Sequence, residues 1–251
     1  MVLTALRGAL GFLTRLPVGH GEDAWLAFRA SPWAFPLAGY AVGALLATPL
    51  LVLQTSVPGT TVAFAYVAWV VAVTGINHLD GVADVGDAAV VHGDPDDRRA
   101  VLKDTTVGVG AATAVAFVFV GLAAGAFGVV SLSLELAVAV VVAAEVGAKF
   151  GQAAVAALGT ATHEGLGSQF TSRASGHDLL PAAVVALPAV ALSWPSPAAG
   201  GSLAGAVGAS LLALWWVRRL LGGVSGDAFG LVNEIGRVAG LHAGVIVWTL
   251  S

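Results

Sequence analysis

The sequence predicts an all-α, polytopic transmembrane helix bundle of about seven spans, with its N-terminus cytoplasmic, and three observations carry that expectation. Hydrophobic residues make up 57% of the 251-residue chain and charged residues only 10%, against about 25% charged in a soluble globular domain. Mean hydropathy is +0.89. Apolar segments recur at 34–54, 60–76, 108–130, 135–159, 179–194, 201–217 and 228–250, where about 20 apolar residues suffice for one crossing. The whole chain, 1–251, reads as one integral-membrane domain, with 77–107 as a cytoplasmic, Asp-rich connection.

The segment before the first span, 2–18, is apolar but carries Arg7 and Arg15, which suits an interfacial amphipathic helix better than a cleavable signal. The connections at 55–59, 131–134 and 195–200 contain no Lys or Arg. The others hold Arg98, Arg99 and Lys103, then Arg173, then Arg218 and Arg219. Basic and uncharged connections therefore alternate, and the positive-inside rule makes the basic side cytoplasmic. Glycines spaced by four, at Gly39/Gly43, Gly121/Gly125, Gly201/Gly205 and Gly236/Gly240/Gly244, would let helix backbones approach closely.

A net charge of −4 with no basic stripe argues against nucleic acid as a partner. The absence of cysteine excludes disulfides and thiolate metal sites, so any metal would take oxygen or imidazole ligands.

The reactive groups gather in the cytoplasmic connections. In the stretch 77–87, Asp80, Asp84 and Asp87 stand at i, i+4 and i+7. On a helix they fall within an arc of roughly 60°. Three anions there repel one another unless a hard divalent cation lies between them. Gly81 and Gly86 thin that helix so that a ligand can come close. Asp94 suits an N-cap with Pro95 at the first helical position, and Asp94, Asp96 and Asp97 suit a solvated loop. Lys103, Asp104, Thr105, Thr106, Gly108 and Gly110 form a group suited to a phosphate: a point charge, hydroxyls, and backbone N–H groups exposed near glycines. Within the fourth span, Glu145, Lys149 and Gln152 also stand at i, i+4, i+7, and open between a structural pair and a cavity lining. Glu234 and Arg237 can pair at i, i+3.

These pieces resemble the cobalamin synthase family, the adenosylcobinamide-GDP ribazoletransferases. The matching segments are Phe12-Leu13-Thr14-Arg15-Leu16-Pro17-Val18, then His78-Leu79-Asp80-Gly81-Val82-Ala83-Asp84 with Asp87. They continue with Arg99 through Lys103-Asp104 to Gly108 and Gly110, Glu164-Gly165-Leu166-Gly167, and Gly222-Gly223-Val224-Ser225-Gly226-Asp227 with Glu234. The chain departs from the family pattern at His163 and Lys149, where arginine is expected, and in a more acidic 90–97 loop.

The resemblance implies a membrane enzyme that joins adenosylcobinamide-GDP to α-ribazole or its 5′-phosphate, releases GMP and needs Mg²⁺. Asp80, Asp84, Asp87 and Asp104 would hold the metal. Asp84, Asp104 and His78 would be catalytic. Asn77, Arg99, Lys103, Glu164, Asp227 and Glu234 would contact substrate. The implied location is the cell membrane, with the site facing the cytoplasm. A homo-oligomer, or a complex with other enzymes of nucleotide-loop assembly, is the partner expectation beside the lipid bilayer. Two other readings compete. A CDP-alcohol-type phosphotransferase is disfavoured because Asp84 stands where its motif has arginine. An ion-coupled transporter would use Glu145, Lys149 and Glu234 as a path, although no internal repeat supports it.

Overall fold

The computed structural model describes residues 1–18, 21–102 and 106–251. Among them every regular element is helical: α1 (Val2–Leu13), α2 (Glu22–Arg29), α3 (Ala34–Leu46), α4 (Thr48–Leu53), α5 (Gly59–Thr74), α6 (Asn77–Val90), α7 (Pro95–Val101), α8 (Val109–Val130), α9 (Leu134–Leu158), α10 (Leu166–Thr171), α11 (Leu179–Ala186) between two short 3₁₀ turns, α12 (Ala198–Leu221) and α13 (Gly226–Thr249).

Four continuous helical stretches are long and apolar enough to cross a membrane: Ala34–Leu53, Val109–Val130, Gly176–Ser193 and Ala198–Leu221. A fifth arises if α5 and α6 are taken together, but they meet at a bend of 98°. Each of the seven expected segments falls on a helix or a run of helices. Helices α9 and α13 fall outside that apolar set; α9 is buried along most of its length, and α13 carries the buried Glu234 and Arg237.

The centre of the molecule is α9. From Ala139 to Lys149, and again from Gly151 to Ala157, every residue is buried. A helix apolar on nearly all sides must be enclosed by other helices, and α3, α12 and α13 pack around it. The glycine stripes make those crossings. A methyl on Gly39 would stand 2.8 Å from the Val146 Cα, and one on Gly240 would stand 2.9 Å from the Ala144 Cα. At one end of the bundle the Gln54 amide donates to the Val130 and Leu132 carbonyls at 3.0 and 2.8 Å, tying α4 to the α8–α9 turn.

The opposite end carries the site. There α1 and α2 form a hairpin, and Phe12, Trp25, Phe28, Phe35, Phe170 and Phe229 interlock with ring centroids 4.7–6.1 Å apart. Helix α1 buries Ala5, Gly8, Ala9, Gly11 and Leu13 and ends at Leu13, where Thr14 Oγ1 donates back to the Leu10 carbonyl. The loops before α10 and α13 are zipped by a parallel bridge. The Thr162 N–H donates to Val224 O at 3.0 Å, and the Val224 N–H donates to Thr160 O at 2.9 Å.

Candidate active site

The site begins at the break between α5 and α6. Gly75 adopts φ +72°, a left-handed conformation that glycine takes without steric penalty. The chain turns there, with the Arg15 side chain lying against it. Helix α6 is therefore not a continuation of α5. It lies across the end of the bundle, and its inner face buries His78, Gly81, Val82 and Val85.

Backbone contact fixes its position. A Cβ on Gly81 would sit 2.6 Å from the Asp227 carbonyl oxygen, and one on Gly230 would sit 2.6 Å from the His78 carbonyl oxygen. Only glycine permits this crossing of α6 over the start of α13. The crossing brings Asp227, from a turn far along the chain, to the face that carries Asp80 and Asp84.

Asp80 is exposed and Asp84 half-buried. Burial first, and then the charges of Asp227, Asp80 and Asp87, push the Asp84 carboxyl up to about 6. The Asp227 carboxyl is also raised, chiefly by burial, against the pull of the hydrogen bond it accepts from Ser225 Oγ at 2.9 Å. The 163–167 segment borders this cluster. His163 stands near Asp227, and Gly167 packs against the Ser225 backbone. Glu164 is exposed beside it.

Asp87 bonds to the start of α8. Its Oδ2 accepts from the Gly108 N–H at 2.7 Å, and its Oδ1 accepts from the Ala111 N–H at 2.8 Å. The unsatisfied amides at a helix start attract an anion, and at α8 the protein supplies that anion itself. The glycines read as a phosphate cradle serve instead to bring the two backbones together: a Cβ on Gly110 would lie 2.5 Å from Gly86 O. Among the described residues no three carboxylates or imidazoles stand ready to hold a metal. Lys103 and Asp104 lie outside the described residues.

Arg99 also serves the fold. Its guanidinium donates to the Leu221 carbonyl and pairs with Asp96, while Arg98 reaches the Leu220 carbonyl. Two cations thus close the C-terminal end of α12, whose last carbonyls lack intrahelical partners. Asp94 caps α7 as expected, accepting from the Asp96 and Asp97 amides at 2.8 and 3.1 Å, with Asp97 completing a capping box.

His78 and Glu234 sit inside a buried polar ring rather than in the open site. Lys149 donates to Glu145 at 2.9 Å and to Asn233 Oδ1 at 2.7 Å. Arg237 bonds both Glu234 oxygens at 2.6 and 2.7 Å and also bonds Glu145. Asn233 Nδ2 donates to Glu234 at 2.9 Å. His78 Nδ1 lies 3.5 Å from Glu234 Oε1, and its Nε2 lies 3.2 Å from Gln152 Nε2. Asn233 Nδ2, which can only donate, lies closer to the same Nδ1, at 3.1 Å, so the two ring nitrogens face the side-chain amides of Asn233 and Gln152, with the Glu234 carboxylate just beyond. Two carboxylates face two cations, so the ring is internally neutral, as buried charges require. Glu145 and Lys149 therefore form a structural pair and line no open path.

Asn77 is exposed at the start of α6, one turn before Asp80. Of the residues expected to act, the structure brings Asn77, Asp80, Asp84, Glu164 and Asp227 to one end of the bundle and withdraws Asp87, Arg99, His78 and Glu234 into its framework. Asn233 and Ser225, each central to a hydrogen-bond set here, carry no local signal beyond being polar near glycine-rich or apolar sequence.

A family model described as cobalamin-5-phosphate synthase matches residues 5–245. Among similar curated proteins, one from Halorubrum lacusprofundi is 52% identical over 99% of both chains. One from Halobacterium salinarum is 64% identical over 79% of this chain and 100% of its own. One from Methanocella arvoryzae is 31% identical over 98% of this chain and 97% of its own. All three bear the name adenosylcobinamide-GDP ribazoletransferase. No solved structure matches.

Proposed function

This chain belongs to the cobalamin-5-phosphate synthase family, a transferase of cobalamin synthesis, and on that premise we propose that it joins adenosylcobinamide-GDP to α-ribazole or its 5′-phosphate at the Asp80/Asp84/Asp227 cluster. A ribose hydroxyl oxygen forms the new bond to the cobinamide-side phosphorus, the bond to the GMP oxygen breaks, and the hydroxyl proton passes to a carboxylate. The observation that carries the site is the Gly81–Asp227 crossing, which brings carboxylates from two distant segments close together.

The donor set suits Mg²⁺. Mg²⁺ is ordinarily bound through one or two carboxylates, substrate phosphates and water rather than an all-protein cage. Asp80 and Asp84, with Asp227 beside them, would hold it, and it would neutralise the diphosphate charge. Asp84 would be ionised when it holds the metal, and Asp227, the carboxylate beside the pair, is suited to taking the hydroxyl proton. Asn77 would orient the nucleoside and Glu164 the far rim.

The basic residues Arg98 and Arg99 dock on the same end of the bundle as the carboxylates, which supports a site facing the cytoplasm from the cell membrane. The transporter alternative finds no support in charges that pair wholly with each other. The test is Mg²⁺-dependent GMP release from both substrates by protein in liposomes. Asp84→Asn should abolish release while helicity and thermal unfolding remain cooperative; turnover in that variant would remove Asp84 from the reaction.

A further inference from the structure

A second cavity opens beside the first turn of α6. It has a volume of about 530 Å³ and is lined by Gly8, Phe12, Glu22, Ala24, Trp25 and Asn77, among others. We propose that this cleft seats the flat heteroaromatic base of the nucleoside substrate, with Phe12 and Trp25 as its aromatic floor and the Asn77 amide at its polar edge; the assignment rests on the transferase reading above and extends it.

Four observations support it. The volume lies in the range of small-molecule sites, roughly 300–1,000 Å³. Its lining joins aromatic rings to an amide and a carboxylate, the mix that holds a base by stacking and edge hydrogen bonds. By contrast, the larger groove between α6, α8 and α12, about 850 Å³, has apolar walls such as Val85, Phe117, Leu212 and Trp216. Next, the aromatic floor is rigid. Phe12 and Trp25 are 5.6 Å apart, and each packs on Phe28 and Phe170, so little ordering is needed on binding. Yet neither ring is fully buried. Finally, the register is right. Asn77, Asp80 and Asp84 lie at i, i+3 and i+7 and share one face of α6. A base held at Asn77 places its sugar one turn away, over Asp80 and Asp84. A neutral aromatic group also suits an edge that carries Glu22, where a phosphate would be repelled.

The experiment measures steady-state GMP release by the full chain in liposomes, varying each substrate in turn. Trp25→Ala should raise KM for α-ribazole on the order of tenfold or more, with KM for adenosylcobinamide-GDP unchanged and kcat recovered at saturating nucleoside. Trp25→Phe, which keeps a ring, should restore KM to within about threefold. Asn77→Ala should raise the same KM, and it stands in for the first variant if Trp25→Ala does not fold. An unchanged KM for α-ribazole in both alanine variants overturns the proposal. So does a rise confined to adenosylcobinamide-GDP, which would assign the cleft to the guanine. A wild-type protein that releases no GMP from the two substrates fails the transferase reading instead, so the two failures are distinguishable.

Discussion

His78 Nδ1 and Glu234 Oε1 approach to 3.5 Å across the α6–α13 crossing, joining the helix that carries the acidic face to the ion ring at the centre of the bundle. Both residues are buried, so their role is to hold α6 in place. His78→Gln should therefore lower thermal stability more than kcat, and the pH profile of turnover should keep its shape. A profile that loses an ionisation in this variant would return His78 to the chemistry.

The ring itself is the most sensitive element of the core. Arg237→Ala leaves Glu145 and Glu234 without their shared cation. Breaking one partner from a buried set costs about 3–5 kcal/mol. Arg237→Lys should recover only part of this, because the planar guanidinium meets Glu145 through Nε and Nη2 while Nη1 serves Glu234, a span that one ammonium does not cover. Unfolding in detergent or lipid, followed by circular dichroism, reads the difference. A loss below about 1 kcal/mol would mean the ring contributes little.

Asp84 carries a pH signature. Its folded-state value is raised to about 6 from 3.8, so the folded protein binds this proton more tightly than the unfolded chain. The group's penalty is fully present above about pH 6 and is relieved as pH falls toward 4. Asp84 is partly exposed, so screening reduces the full effect to about 1 kcal/mol. In the absence of Mg²⁺, Asp84→Asn should unfold a few degrees higher than the parent at pH 7 and equally at pH 4. Equal melting at both values would remove the charge crowding on which the site rests.

Asp87 predicts the opposite sign. Its carboxylate satisfies two amides at the start of α8. Asp87→Ala should destabilise by about 1–2 kcal/mol, as loss of a helix cap does. Hydrogen exchange at the Ala111 amide should accelerate. An unaltered exchange rate there would show that the cap contributes nothing in solution.

Gly81→Ala tests the crossing directly. The added methyl meets the Asp227 backbone at 2.6 Å, where neither helix has a flexible side chain to move. Overpacking of this kind costs about 1–3 kcal/mol, and displacement of reacting groups by about 1 Å can cost on the order of 100-fold in rate. Turnover should fall far more than helicity. A variant with parental kcat would sever Asp227 from the site.

Hydropathy and glycine spacing made the helical class and the crossings legible, because both express packing along a single helix. Local rules also read the Asp94 cap and the Glu145–Lys149 and Glu234–Arg237 pairs. Depth was not legible. The same periodicity that set Asp80, Asp84 and Asp87 on one face could not reveal that the third turns to amides 21 and 24 residues away. The carbonyl that Arg99 reaches lies 122 residues on, beyond any local rule. His78 sits in the same acidic segment as Asp80, yet the helix rotates it inward against α13. Length and hydropathy pick out four or five crossing stretches among the described residues, and burial bears on that test for a related reason. A central helix such as α9 can carry charge because protein, not lipid, surrounds it.

The left-handed Gly75 has a consequence beyond its own turn. A side chain there would be strained at φ +72°, and the chain could escape that strain only by opening the bend of 98° between α5 and α6. Any such opening swings Asp80 and Asp84 away from Asp227. A single backbone torsion thus sets whether two remote stretches of the chain present their acids together.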